Sequence, residues 1–316
     1  MPAASNQGWR DYWKSNRPAS CVPANDATAA EIAAYWVGVF TDVADQSRIL
    51  DIATGNGILL AHAASAAVEG GKTFALTGVD LADIAPQKYL DEAPVGFNEI
   101  RFVGKTAAEA LPFEVHEFDV VVSQYGLEYA QLDKALAEVE RVLAPGGRFV
   151  WLAHCDDSEV VLQNRDQGAE VDFLLKPRGP IDAMERFVTR LGKGKKPSNA
   201  AQRLQAALAD AERYCQDHPP AKVVVEVCTV IADSASRWQS FHPDDLARML
   251  ADARARLIRH RQRINDLSNA VVTPERLRSI ETTLQSTGWR ECEIVALRAG
   301  SAERPIGLQI TARRED

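Results

Sequence analysis

The stretch RILDIATGNGILLA, residues 48–61, constrains the fold more than any other part of the chain. Its first half is a continuous apolar run with one carboxylate, Asp51, near the end, and reads as a buried strand. From Ile58 onward it reads as a helix. Between the two, Gly55 and Gly57 supply a short turn whose backbone is bare of Cβ atoms. Strand, glycine turn and helix with no long connection form the opening of a βαβ unit. At such a turn a ligand can lie directly against the main chain.

The same alternation continues to residue 154. TFALTGVDLA, EIRFVGKTA, FDVVVSQYG and RFVWLAHC read as four more strands. GILLAHAASAAVEG reads as a helix ending at Gly70-Gly71. QLDKALAEVERVL reads as a helix with Leu132, Leu136, Val139 and Leu143 on one face, stopped at Pro145-Gly146-Gly147. After His154 the pattern changes to helices alone, broken at KPRGP, GKGKKPSN and HPPA. Thr273 and Pro274 then mark an N-cap and first turn, and ECEIVALR and IGLQITARR read as two closing strands. The expected fold is α/β: a seven-stranded, mostly parallel sheet with helices on both faces and a helical insertion after the fifth strand. The expected divisions are an N-terminal helical segment (1–44) covering the ligand site, a sheet domain (45–157 with 273–316) and the insertion (158–272). An insertion at the carboxyl edge of a parallel sheet suits a lid or substrate pocket. An accessory layer or a homodimer surface is the plainer alternative.

Bulk properties narrow the partners. The formal net charge of -8 over 316 residues repels phosphate backbones, so nucleic acid is disfavoured and small molecules lead. Cys21, Cys155, Cys215, Cys228 and Cys292 form no CxxC pair, which argues against a zinc or dithiol site and for free thiols in a reducing compartment. The N-terminus lacks an apolar signal core, and no uncharged run would span a bilayer. These features read as a cytoplasmic protein with no metal site and no membrane partner.

Which nucleotide the turn would take follows from two departures. A dinucleotide fingerprint needs a third glycine, where this chain has Leu60, and seldom carries an acid like Asp51 inside the strand end. A nicotinamide oxidoreductase is therefore disfavoured. Asp51 at a strand's carboxyl end offers acceptors to a cationic amine, and Asp80, closing the second strand, can accept both hydroxyls of a ribose. Together they ask for a ligand with a ribose and an amino-acid cation.

LDIATGNG, GVDLAD, AAEALPF, FDVVVSQYGLEY and LAPGGRFVW, in that order, resemble the class I S-adenosylmethionine-dependent methyltransferases. The resemblance covers roughly residues 45–155 and the two closing strands, and implies a Rossmann-like sheet. It implies that Asp51, Gly55 and Gly57 hold the methionine part of S-adenosyl-L-methionine, that Asp80 holds the ribose, and that Ala53 and Asn56 belong to the same cofactor-binding turn. Leu81 would pack on the adenine, Ala108 and Glu109 would flank its edge, and Ser123, Gln124 and Tyr125 would pass beneath the sulfonium. Two residues depart from the pattern. Ala53 stands where the family often has glycine, and Ala107 where it often has an acid that reads the adenine amino group. Adenine reading then rests on backbone groups or another side chain.

The implied activity is methyl transfer to an oxygen or nitrogen of a small-molecule acceptor by in-line displacement, leaving S-adenosyl-L-homocysteine. The alternatives are a methyltransferase acting on a protein or RNA and a non-catalytic cofactor-binding module. His154, following the fifth strand, is the candidate base or acceptor-orienting donor, against the reading of a hydrogen-bonded loop histidine. Tyr125 is the second catalytic candidate, as a wall for the methyl group or a contact to the acceptor, against ordinary packing over the cofactor. Glu128 reads as a solvated acid in a first helical turn, with positioning of a cationic acceptor as the alternative. Trp9, Tyr12, Trp13 and Arg17 read as a helix packing on the core, with an aromatic gate as the alternative. The arginines from Arg254 to Arg263 read as the solvated face of an amphipathic helix that buries Leu250, Leu257 and Ile264.

Overall fold

A computed structural model of the chain describes residues 9, 12–14, 26–90, 96–194, 196–286, 288–300 and 302–315. Arg17 and Cys21 lie outside the described residues. The chain divides into two compact units, Met1–Leu162 with Asp266–Asp316, and Gln163–Asn265.

The first unit is built on a sheet of seven strands in the order β3-β2-β1-β4-β5-β7-β6. In chain order, helix α1 (Asp26–Thr41) leads into β1 (Arg48–Ile52), α2 (Ile58–Gly70) and β2 (Ala75–Val79). Then come β3 (Arg101–Val103), β4 (Phe118–Gln124), α3 (Leu132–Val142) and β5 (Leu143–Ala153). The first five strands pair in parallel, and the last pairings, β5 with β7 and β7 with β6, are antiparallel. The order reverses between β1 and β4, and such a reversal opens a crevice at the strands' carboxyl ends.

Alternation along the strands fills two cores. Leu50, Ile52, Val121, Phe149 and Trp151 pack with Leu136 and Val139 of α3 on one face. Ile49, Val120, Val122, Val150 and Leu152 pack with Trp36 and Phe40 of α1 and Leu59 and Leu60 of α2 on the other. Covered on both faces, β1 and β4 read as unbroken apolar runs. Helix α2 is rich in buried alanines and ends where Gly71, at φ 61°, turns its N–H back to Ala67 and Val68. The sequence places the end of α3 at Pro145, but the helix stops at Val142. Leu143 already pairs with Phe118, the chain loops out through Ala144–Gly147, and pairing resumes at Arg148 opposite Val120. Pairing of Leu143 with Phe118, at the first residues of β5 and β4, thus overrides the helical pattern that includes it.

The second unit is helical. Helix α4 (Glu159–Leu175) runs into it, followed by α5 (Pro180–Gly192), α6 (Ser198–Asp217), α7 (Lys222–Ser236) and α8 (Pro243–Ala270). Its core includes Leu174, Met184, Phe187, Leu204, Val224, Leu250 and Leu257. The buried carboxylate of Glu170 accepts the Val224 N–H at 3.0 Å in the first turn of α7, where a negative charge favours the helix. The arginines of α8 are partly spent inside the unit. Arg261 forks onto both oxygens of Asp172 at 2.8 Å, and Arg254 reaches Glu185 at 3.4 Å. That use agrees with an amphipathic helix face.

The chain returns to the first unit through α9 (Pro274–Ser286), where the Thr273 hydroxyl accepts the Arg276 N–H at 3.3 Å. β6 (Trp289–Arg298) and β7 (Pro305–Arg314) complete the sheet. Among the described residues no helix is long and apolar enough to cross a membrane.

Candidate functional site

At the carboxyl ends of β1, β2 and β4 lies a cavity of about 430 Å³, a size common for small-molecule sites. Its floor is the turn after β1. Ala53 (φ 60°), Gly55 (φ 54°) and Gly57 (φ 83°) all take left-handed conformations, which folds the chain from strand to helix within five residues. The Thr54 N–H bonds the Val79 carbonyl at 2.9 Å, fastening the turn to β2. The two glycines serve different ends. Gly57 backs away from the cavity: a Cβ there would come within 2.7 Å of the Phe102 ring. Gly55 lies under the indole of Trp13, which a Cβ would overlap.

Two carboxylates stand on adjacent strand ends. Asp80 accepts the Gly55 N–H at 2.9 Å and the Ala82 N–H at 2.7 Å. Burial pushes its carboxyl up to about 6, against those two bonds. Asp51 is 2% exposed, and burial pushes it up to about 8, against the Thr54 hydroxyl and with a further push from Asp80. Both carboxyls line a cavity in which, among the described residues, no cation is close enough to hold their charge. That is the condition of a site prepared for a cationic or hydroxyl-bearing ligand.

Of the residues singled out from the sequence, Asp51, Ala53, Asp80, Leu81, Ala108, Glu109, Gln124 and Tyr125 line the cavity. Leu81 is 37% exposed there, a bare apolar surface beside Asp80. Glu109 also accepts the Gln131 N–H at 2.8 Å, at the start of α3. Gly55, Asn56, Gly57, Ser123 and His154 do not line it. The amide of Asn56 donates to the Trp13 carbonyl at 3.0 Å, so it holds Trp13 against the turn. The Ser123 hydroxyl, fully buried, donates to the Ile52 carbonyl at 2.8 Å and accepts the Leu127 N–H at 3.2 Å, locking β4 to β1. His154 sits behind Tyr125, its ring stacked on the phenol at 4.3 Å between centroids.

Tyr125 itself is a wall. It holds a left-handed backbone at φ 53°, and its hydroxyl donates to the Ile306 carbonyl at 2.8 Å. Glu128 corrects the reading of a solvated acid. It is 1% exposed and accepts the His154 N–H at 2.9 Å, His154 Nδ1 at 2.6 Å and the Trp151 indole N–H at 3.2 Å. Three donors from the end of β5 replace the water it gives up. Trp13 is buried, Trp9 stacks on it at 6.3 Å and meets Tyr129 edge-on at 5.7 Å, and Trp9, Trp13 and Tyr129 line the cavity. Thr54, Thr106 and Lys134 also line it. Thr54 and Thr106 are the kind of small polar residue that only a folded turn brings to a ligand.

A family model described as a methyltransferase domain matches residues 49–147. A malonyl-[acyl-carrier protein] O-methyltransferase of Geobacter sulfurreducens is 33% identical over 153 residues, 48% of this chain and 54% of that one. A demethylmenaquinone methyltransferase of Thermus thermophilus is 41% identical over 109 residues, covering 33% and 46%. A ubiquinone/menaquinone biosynthesis C-methyltransferase of Rickettsia bellii is 32% identical over 123 residues, covering 37% and 48%. The chain spans about half the length of the curated relatives it matches.

Proposed function

We propose that the protein is a class I S-adenosylmethionine-dependent methyltransferase that transfers a methyl group from S-adenosyl-L-methionine to a small-molecule acceptor by in-line displacement, a reading supported by the match of residues 49–147 to a methyltransferase domain. The observation that carries the reading is the pair of buried carboxylates, Asp51 and Asp80, at neighbouring strand ends of one cavity. The residues fit the cofactor. A carboxylate has about four lone-pair sites, and Asp80 spends two on Gly55 and Ala82, leaving acceptors for two ribose hydroxyls. Asp51 would hold the ammonium group, Leu81 would offer a flat apolar surface to the adenine, and Ala108 and Glu109 would border its edge.

The bound cofactor supplies a methyl group already activated on a sulfonium. What remains for the chain is alignment and exclusion of water. Trp9, Trp13 and Tyr125 give apolar walls for that purpose. Tyr125 acts as a wall, since its hydroxyl is committed to Ile306. His154 supports that wall from behind, by its stacking on Tyr125 and its bond to Glu128. The relatives bear the names of an O-methyltransferase and of C-methyltransferases. We assign the acceptor atom here to oxygen or nitrogen, and acceptor choice to the helical unit, which lies outside the matched residues.

Titration calorimetry of the purified protein with S-adenosyl-L-homocysteine tests the cofactor. Incubation with methyl-labelled cofactor and fractionated extract tests the acceptor. Label in a small metabolite is expected; absence of cofactor binding sinks the proposal, and label confined to protein or RNA sinks the small-molecule acceptor.

A further inference from the structure

A continuous run of rings borders the cavity. Trp13 stacks on Trp9 at 6.3 Å between centroids, and Trp9 meets Tyr129 at 5.7 Å with the two rings at 83°. Tyr129 in turn lies 6.2 Å from the His154 ring, which stacks on Tyr125 at 4.3 Å. All of these but His154 line the cavity. The belt joins the turn after β1, where Trp13 covers Gly55, to the residue that follows β4. Among the described residues, the same cavity is lined by the carboxylates of Asp51, Asp80 and Glu109 against one lysine, Lys134. The chain's net charge of -8 arises wholly in the unit that holds this cavity, since Gln163–Asn265 carries more Lys and Arg than Asp and Glu. Ring faces and carboxylates favour the same thing, a cation.

Methyl transfer treats a cation differently with different acceptors. When a neutral amine attacks, its lone pair forms the new N–CH3 bond as the S–CH3 bond breaks, and the pair of that broken bond stays on sulfur. The positive charge passes from sulfur to nitrogen and remains in the cavity, and the ammonium then gives a proton to water. When an ionised oxygen attacks, the two charges cancel, and the rings and carboxylates lose their counterpart. A hydroxyl acceptor must also be stripped of its proton, whereas the Tyr125 phenol in this belt spends its own proton on the Ile306 carbonyl. From the aromatic belt and the carboxylates beside it we infer that the acceptor is an amine, and that Trp9 and Tyr129 stabilise its nitrogen as the charge arrives there. This rests on the methyl-transfer reading above and narrows its acceptor atom to nitrogen.

Two probes of one shape test the assignment: choline, and dimethylbutanol, its uncharged tert-butyl isostere. Each is titrated by calorimetry into the protein saturated with S-adenosyl-L-homocysteine. Choline is expected to bind about tenfold tighter than the isostere. Trp9→Leu and Tyr129→Leu should each shrink that ratio severalfold, and Tyr129→Phe, which keeps the ring, should retain it. Equal binding of the two probes by the parent, or binding of neither, overturns the proposal. So does a ratio that both leucine variants leave unchanged. Methyl label recovered on an oxygen or carbon of the acceptor from fractionated extract overturns it too, while methyl transfer itself stands. A parent protein that does not bind S-adenosyl-L-homocysteine overturns the methyl-transfer reading as well, which separates the two failures.

Discussion

At the scale of single residues, Asp51 sets function against stability. Its carboxyl titrates near 4 in an unfolded chain and is pushed up to about 8 in the fold. Between those values the folded chain holds the extra proton, so stability falls as pH rises from about 4 to about 8. Asp51→Asn has no charge to bury. Denaturant unfolding should show it more stable than the parent at pH 8, by on the order of a few kcal/mol, with the gap closing toward pH 4. Equal stability at pH 8 would mean the carboxylate is solvated. The same variant should fail to bind the cofactor. In the parent, a cofactor ammonium favours the ionised carboxylate, so binding near pH 7 should release a proton. Calorimetry in two buffers of different ionisation enthalpy measures this directly, and equal heats in both would remove Asp51 from the ammonium site. A second residue-scale effect joins Ala53 to Gly126. A Cβ on Gly126 would overlap the Cβ of Ala53. Gly126→Ala should cost about 1–3 kcal/mol in the parent, and clearly less in an Ala53→Gly background. Additive costs in the double-mutant cycle would show that the two methyl groups never meet.

At the scale of elements, the ends of β4 and β5 are joined through Glu128. Its carboxylate gathers three donors from β5 and the residue after it, while Arg276 of α9 donates to its backbone carbonyl at 2.8 Å. Arg276 also reaches the Val271 carbonyl at 3.1 Å, past the end of α8. Glu128→Ala leaves three buried donors without an acceptor and should lower stability by roughly 3–5 kcal/mol in thermal or denaturant unfolding. Glu128→Gln keeps acceptor oxygen and should lose visibly less. Matched losses would reduce Glu128 to a space-filling role. None of this hub could be read from the chain, because its partners lie 23 to 148 residues away and become neighbours only through strand order. Asp51 and Asp80 were legible because each closes a strand whose apolar run is local. Gly57 was legible as a turn residue, but its neighbour Phe102 comes from β3, so its real constraint is packing. Trp9 and Trp13 were ambiguous because a buried aromatic and a cavity-lining aromatic share one sequence signature.

At the scale of the whole molecule, every residue lining the cavity belongs to the first unit. The two points where the chain leaves and re-enters that unit are neighbours. Cys155 bridges Val272, the Val272 N–H bonds the His154 carbonyl at 2.9 Å, and Val161 packs with Leu267 and Val271. Leu162 and Asp266 can therefore be joined by a short polar loop with little cost in closure entropy. A chain in which a few glycine and serine residues replace 163–265 should fold, and should bind S-adenosyl-L-homocysteine with a Kd close to that of the parent. It should also lose turnover of the acceptor found by extract labelling, since acceptor choice is assigned to the excised helices. Binding is read by calorimetry and turnover by methyl label on the isolated acceptor. Retained turnover would return acceptor choice to the sheet unit. Loss of cofactor binding in a folded protein would show that the cavity depends on residues outside its own lining.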